Sequence, residues 1–270
     1  MSVKIVVDSA SEFSYEEAKA LGLYFCPLSV SFGDTEYRDS IDIDNKTFYE
    51  MLEASKDLPK TSQVGPFAFQ EAFEEIVENG HTALAITLSS KLSGTYSSAR
   101  LAAQSFPGKV FLVDSLSATI GEKILILYAL ELTKTIDDPE EIVKRLEEKR
   151  KKIGICYLLD TLEYLHKGGR LSAAQALAGS ILSLKPLCTL TNGEVEVIAK
   201  ARGAKKGMEK LAEVIKTADD YDPDMPAMLL YSGNDPKGLN KFKELYPDIF
   251  GKTIGTHVGP GTIGLAFFKK

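Results

Sequence analysis

No stretch of this chain is apolar over the ~20 residues that a membrane-spanning helix needs, so the pattern contains no membrane span. The opening run Met1-Ser2-Val3-Lys4-Ile5-Val6-Val7-Asp8 is too short and too soon acidic for a secretory leader, and it reads as a first strand. Cysteine is scarce. Cys26, Cys156 and Cys188 lie far apart in apolar, strand-like settings, and no Cys-x-x-Cys occurs. A zinc ribbon and a disulfide framework are therefore excluded, and three small core side chains are expected. No paired-histidine metal motif occurs and no Gly-x-x-x-x-Gly-Lys-Ser/Thr. The glycine-rich run 259–264 does not substitute for a phosphate loop, because it leads into the strand-like Leu265-Ala266-Phe267-Phe268 and not into a helix. A nucleophile elbow is absent around Ser93, which Lys91 and Leu92 precede. Positive charge is short as well: the formal net charge is −6, which repels polyphosphate backbones and argues against nucleic acid as a partner. The expectation is a cytoplasmic protein with no metal, no cofactor and no catalytic residue of its own.

What is present is a globular composition, 44% hydrophobic and 26% charged, long enough at 270 residues for two ordinary domains. In the first half, strand signals at 3–7, 24–32, 83–88 and 110–114 alternate with helix signals at 67–77, 96–104, 120–132 and 140–151. Strands that read as unbroken apolar runs between helices predict a parallel sheet covered on both faces. Ser14-Tyr15-Glu16-Glu17 has the spacing of a capping box. Gly33-Asp34 marks a hairpin, and Asp57 to Gly65 reads as a polar loop. The second half is different. Asn192-Gly193 between strand-like runs is a hairpin signal. Further strands at 154–159, 227–231, 253–257 and 264–268 and helices at 205–216 and 239–245 predict a mixed α+β domain. Residues 173–183 read as an apolar helix of small residues, with Ala174, Ala178 and Gly179 leaving room beside it. The boundary is placed at 152, giving domains 1–152 and 153–270.

In an open parallel sheet, ligands lie beyond the carboxyl ends of the strands. Asp8-Ser9, the Ser89–Thr95 loop and Asp114-Ser115 fall there. Asp8 and Asp114 read as turn and helix caps. The Ser93 loop offers hydroxyls and helix N–H groups to an anion, or it caps a helix. Thr61 and Ser62 can donate to a carboxylate or serve a turn. His81 and His166 read as surface residues. His257 ends a strand, where an imidazole can donate to an anion or be structural. One basic cluster, Lys200, Arg202, Lys205, Lys206 and Lys210, is either a solvated face or a docking patch for an acidic partner.

Several segments in this order resemble the DegV family. They are Val6-Val7-Asp8-Ser9, Thr61-Ser62-Gln63, Leu88-Ser89-Ser90-Lys91-Leu92-Ser93-Gly94-Thr95-Tyr96, Val113-Asp114-Ser115, Leu162 to Ser172, and His257-Val258-Gly259-Pro260-Gly261. The resemblance spans essentially the whole chain. It implies a two-domain α/β structure, the EDD fold, with a long-chain fatty acid such as palmitate between the domains. It implies that Thr61 and Ser93 hold the carboxylate, with His257 as a further donor and Ser62, Gly94 and Thr95 as the supporting loop. It also implies a separate fatty acid kinase that phosphorylates the bound carboxylate for phospholipid synthesis, docking near Arg202, and a transient membrane surface as a further partner.

Elementary energetics agree with such a ligand. Burying a sixteen-carbon chain is worth roughly 10 kcal/mol gross, at about 0.8 kcal/mol per methylene. A carboxylate drawn from water must find hydrogen bonds or take up a proton, and hydroxyls with an imidazole supply donors. Two rival readings stand beside the carrier: a serine-dependent acyl hydrolase with Ser93 as nucleophile and His257 as base, and a module binding a phosphosugar or polyol.

Overall fold

A computed structural model describes residues 2–171, 184–216, 220–246, 253–257 and 261–270, with the backbone alone at 215 and 253–257. The expected small-residue helix at 173–183 and the run Val258-Gly259-Pro260 lie outside the described residues. The chain divides into two compact units, 1–44 with 59–152, and 45–58 with 153–270.

The first unit is built on β1 (Val3–Asp8), β2 (Tyr24–Cys26), β6 (Thr82–Thr87) and β7 (Val110–Asp114), all parallel, in the order β2-β1-β6-β7. Helices α3 (Pro66–Glu78) and α4 (Thr95–Ala103) cover one face with Val6, Phe69, Phe73, Ile76, Ala85 and Ala99. Strand side chains alternate. Ile5 and Val7, also buried, therefore point to the opposite face, where α5 (Ile120–Leu132) and α6 (Pro139–Lys149) pack on β1, β6 and β7. This is the parallel sheet covered on both faces that the apolar runs required. The helix α1 (Tyr15–Ala20) opens with the expected capping box, Ser14 Oγ accepting from Glu17 N and the Glu17 carboxylate accepting from Ser14 N.

Two details differ from the sequence reading. The single strand expected at 24–32 is two, β2 and β3 (Ser29–Phe32), because Pro27 has no N–H for a ladder and the Leu28 N–H donates instead to Ser9 Oγ. The polar loop 57–65 contains a short strand, β5 (Lys60–Ser62), that joins β3 and β4 (Thr35–Arg38) in a small antiparallel sheet of order β4-β3-β5. Gly33-Asp34 is the turn of the β3–β4 hairpin, as expected.

The second unit is a mixed sheet. Its strands are β8 (Ile153–Leu158), β9 (Leu184–Thr191), β10 (Glu194–Arg202), β11 (Ala227–Tyr231), β12 (Thr253–His257) and β13 (Ile263–Phe268), in the order β10-β9-β8-β13-β11-β12. Only the β11–β12 pair is parallel among them. A short helix α7 (Glu163–Lys167) follows β8, and α8 (Ala204–Lys216) lays Met208, Leu211 and Ala212 into a core with Cys156, Leu187, Leu229, Phe242 and Leu265. Phe242 comes from α9 (Lys237–Leu245). The helix α2 (Asn45–Ala54) groups with this unit and not with the first, where a single boundary after Lys152 had put it. It buries Tyr49 and Leu52, and its Lys46 carbonyl accepts from Asn234 Nδ2. All three cysteines are buried, and burial pushes their thiols up to about 12.

The β9–β10 hairpin turns on Asn192 (φ 51°) and Gly193 (φ 86°), both left-handed, as a two-residue turn matched to strand twist demands. Gly193→Ala should lower stability by about 1–2 kcal/mol, since an L side chain is strained in this region. Urea unfolding midpoints compared with wild type check this, and an unchanged midpoint would refute it.

Candidate functional site

The carboxyl ends of the parallel strands are held by acidic side chains. Asp8 is fully buried at the end of β1; its Oδ1 accepts from Ala10 N at 3.0 Å and its Oδ2 from Leu88 N at 2.9 Å, which ties β1 to the loop after β6. Asp114 Oδ1 accepts from Leu116 N at 3.0 Å and from Ser90 N at 3.2 Å. These are the cap-like roles expected of both residues. Ser89 N donates to the Ser117 carbonyl at 2.7 Å. The N–H groups of Leu92 and Ser93 both turn back to the Ser89 carbonyl, at 2.9 and 3.2 Å. The loop is thereby a tight turn that leaves Ser93 half-buried at the start of α4.

Ser93 Oγ accepts from Thr95 N at 3.3 Å and lies 3.0 Å from Thr95 Oγ1. Thr95 is fully buried, and its Oγ1 also accepts from Val64 N at 3.3 Å. Next to it, Gln63 Nε2 donates to Ser98 Oγ at 2.9 Å. The segment that follows β5 is thus bonded to the first turn of α4. Ser62 and Thr61, both exposed on β5 and paired with Ser29 and Val30, stand one and two residues before Gln63. The structure brings together the two segments that hold Thr61, Ser62, Ser93, Gly94 and Thr95. Gln63, which the sequence reading named only within a motif, is a member of this group.

His257 and Arg202 belong to the second unit. The backbone of His257 closes β12 opposite Tyr231. Arg202 closes β10, exposed, with Lys205, Lys206 and Lys210 also exposed just beyond it. His81 is half-buried and bonds Ser2 through Nδ1, 3.0 Å from the hydroxyl, at the amino end of the strands. The second unit also has a cavity of about 330 Å³ lined by Leu158, Met208, Tyr231 and Ile263, with the ion pairs Asp160–Lys185 (2.6 Å) and Asp235–Lys237 (2.9 Å) at its wall. Among the described residues, none of Thr61, Ser62, Ser93, Gly94, Thr95 and Arg202 lines it.

Chemically, the Ser93 group is a set of hydroxyl donors. Ser93 bonds to a threonine hydroxyl and a backbone N–H, and no imidazole or carboxylate is bonded to it among the described residues. Among the described residues no three His, Cys, Asp or Glu side chains are grouped to hold a metal ion, and no helix is long and apolar enough to cross a membrane.

The remaining titratable groups of this unit are unusual. Burial raises the Asp8 carboxyl to about 7 against the opposing pull of its two backbone donors. Burial and the Asp39 charge raise Glu12 well above its ordinary value. Glu122, in the first turn of α5, is fully buried, and neither of its oxygens has a hydrogen-bond partner among the described residues. Desolvation, with Asp8, Glu12 and Asp114 nearby, holds it far above 4.5. Lys123 is buried too, donating to the Glu12 carbonyl at 2.8 Å and to Glu17 at 3.2 Å, over the ring of Phe13.

The model of the DegV family, described as uncharacterised proteins, matches residues 2–270. The chain belongs to the DegV family. It is 32% identical to a DegV domain-containing protein of Deinococcus radiodurans over 98% of both chains. Two solved structures share the fold: a fatty-acid-binding DegV family protein of Thermus thermophilus, with TM-score 0.89 and 30% identity over the whole of both chains, and DegV of Bacillus subtilis, a fatty acid binding protein, with TM-score 0.86 and 29% identity, again over the whole of both.

An unpartnered buried carboxyl costs stability once it ionises. Glu122 in the fold has its pKa raised above the unfolded value, so it binds more protons folded than unfolded, and stability falls as pH rises above about 4.5. Glu122→Gln should therefore be near neutral at pH 4 and increasingly stabilising toward pH 8, by at most about 1.4 kcal/mol per pH unit. Parallel unfolding titrations of both proteins across that range measure it. A constant difference would mean that Glu122 ionises as readily in the fold as in the unfolded chain.

Proposed function

We propose that this protein holds one long-chain fatty acid, with its carboxylate on the hydroxyls of Thr61 and Ser93, and presents that head group to a separate kinase without reacting with it. The observation that supports this most is the hydrogen-bond arrangement at Ser93. When the Thr95 hydroxyl donates to Ser93 Oγ, that oxygen already accepts from Thr95 N, and the proton of Ser93 is left for an outside acceptor. Thr61, on the segment bonded to the same helix turn, is exposed and offers a second donor. Two donors of this kind suit the two oxygens of a carboxylate, and the family's fatty-acid-binding structures make a fatty acid the ligand of choice. His257 is assigned as a further donor on the sequence resemblance, and a sixteen-carbon chain such as palmitate as a suitable length. Arg202, exposed among lysines, is assigned to kinase docking.

Native mass spectrometry of the purified protein, followed by denaturation and identification of what is released, tests the reading: one fatty acid per chain is expected, and a polyol or phosphosugar in its place would overturn it. Thr61→Ala and Ser93→Ala should each weaken fatty acid binding by about 1–3 kcal/mol, the cost of leaving a desolvated acceptor unpaired. Isothermal titration measures the loss, and wild-type affinity in both variants would remove the head-group assignment. Arg202→Ala should spare fatty acid binding and slow acyl-phosphate formation by an added fatty acid kinase. Lost lipid with normal docking would place Arg202 at the ligand instead.

A further inference from the structure

Gly94 has φ −75° and ψ 1°, a conformation open to every residue, so its backbone gives no reason for a glycine. Its surroundings do. A Cβ built there would lie 1.9 Å from Gln63 Oε1, 2.7 Å from Gln63 Cδ and 3.1 Å from Nε2. The whole amide of Gln63 rests on the bare α-carbon of Gly94, and its Nε2 is anchored 2.9 Å from the hydroxyl of buried Ser98, one helical turn further along α4. The amide of the exposed Gln63 therefore holds the start of α4 by one hydrogen bond and lies over Gly94, with Val64 N donating to Thr95 Oγ1 beside it. The two hydroxyls assigned to the carboxylate flank this grip: Ser93 precedes Gly94 directly, and Thr61 precedes Gln63 by two residues. Serine and threonine side chains are too short to adjust by more than a rotamer, so the separation of their hydroxyls is a backbone distance. The Gln63 amide on Gly94 and Ser98 constrains it, together with the Val64 N–Thr95 Oγ1 bond.

We infer that Gln63 is a positioning residue that, seated on Gly94, fixes the spacing of the Thr61 and Ser93 hydroxyls and so makes the site select a carboxylate over a single-oxygen head group. The inference rests on the head-group reading above. A carboxylate has two oxygens at a fixed spacing and needs both donors in register, whereas a fatty alcohol of equal chain length satisfies itself with one.

The experiment compares a long-chain fatty acid and the fatty alcohol of the same length on wild type, Gln63→Ala, Gly94→Ala and the double variant. Gln63→Ala should lose about tenfold in affinity for the acid, the factor set by one misplaced hydrogen bond, with the alcohol nearly unaffected. Gly94→Ala should do the same by pushing the amide out. In the double variant the methyl at 94 meets no amide, so its loss should equal that of Gln63→Ala alone, and this variant keeps the test readable even where Gly94→Ala does not fold. Equal losses for acid and alcohol, or losses that add in the double variant, overturn the positioning role while wild type still binds the acid. Wild type that takes up no fatty acid overturns the head-group reading and this inference with it.

Discussion

The hydroxyl of Thr95 is the joint on which the candidate site depends. A fully buried oxygen must find partners or cost the protein the price of desolvation. This one accepts the Val64 N–H from the segment after β5 and bonds the Ser93 hydroxyl of its own loop. Two stretches of chain about thirty residues apart in sequence are joined by this side chain, beside the Gln63–Ser98 bond. The packing below explains why the joint is stiff. Phe69 and Phe73 of α3, with ring centroids 5.9 Å apart, and Ala99 and Ala102 of α4 fill the same core, so both segments run into helices that cannot shift independently.

The buried carboxyls of the first unit are shifted toward their neutral forms. Asp8, Glu12, Asp39 and Glu122 are all pushed upward, chiefly by burial. Ionised together, they would repel a carboxylate at the same edge of the sheet. Burial favours the neutral form of each, which weakens the field they impose. Asp8 can be tolerated there because its oxygens also receive two backbone N–H bonds in either charge state. Glu122 has no such compensation, and the structure offers no hydrogen-bonding reason for its presence.

Much of this architecture was legible in the sequence because its signals are local. The α5 apolar run gives its own limits, Ile120 and Leu132, without reference to any partner, and Asn192-Gly193 defines its turn by backbone preference alone. What escaped was decided at long range. Lys60-Thr61-Ser62 has no apolar alternation and is exposed throughout, and it is a strand only because β3 lies alongside. Tyr49 and Leu52 announce an amphipathic α2, but amphipathicity does not say which core receives it. In the site, Ser93 and Thr61 stood out as hydroxyl residues next to turn signals. Gln63 did not, since an amide in a polar stretch has no distinguishing pattern. Its role shows only when the space above Gly94 is measured.

The partners of Ser93 bear on what its hydroxyl can do. A serine nucleophile needs a base on its hydroxyl. The side chain of His257 lies outside the described residues; among those residues the partners of Ser93 are a threonine hydroxyl and a backbone N–H, neither of which can take its proton at neutral pH. They can orient that proton outward, which is what holding an anion requires. Thr61 and Ser62 are exposed and Ser93 is only half-buried, so a head group seated on them stays within reach of a second protein. A hydrolase gains from closing such a site against water. The hydroxyls of Thr61 and Ser62 on this strand do not have that enclosure.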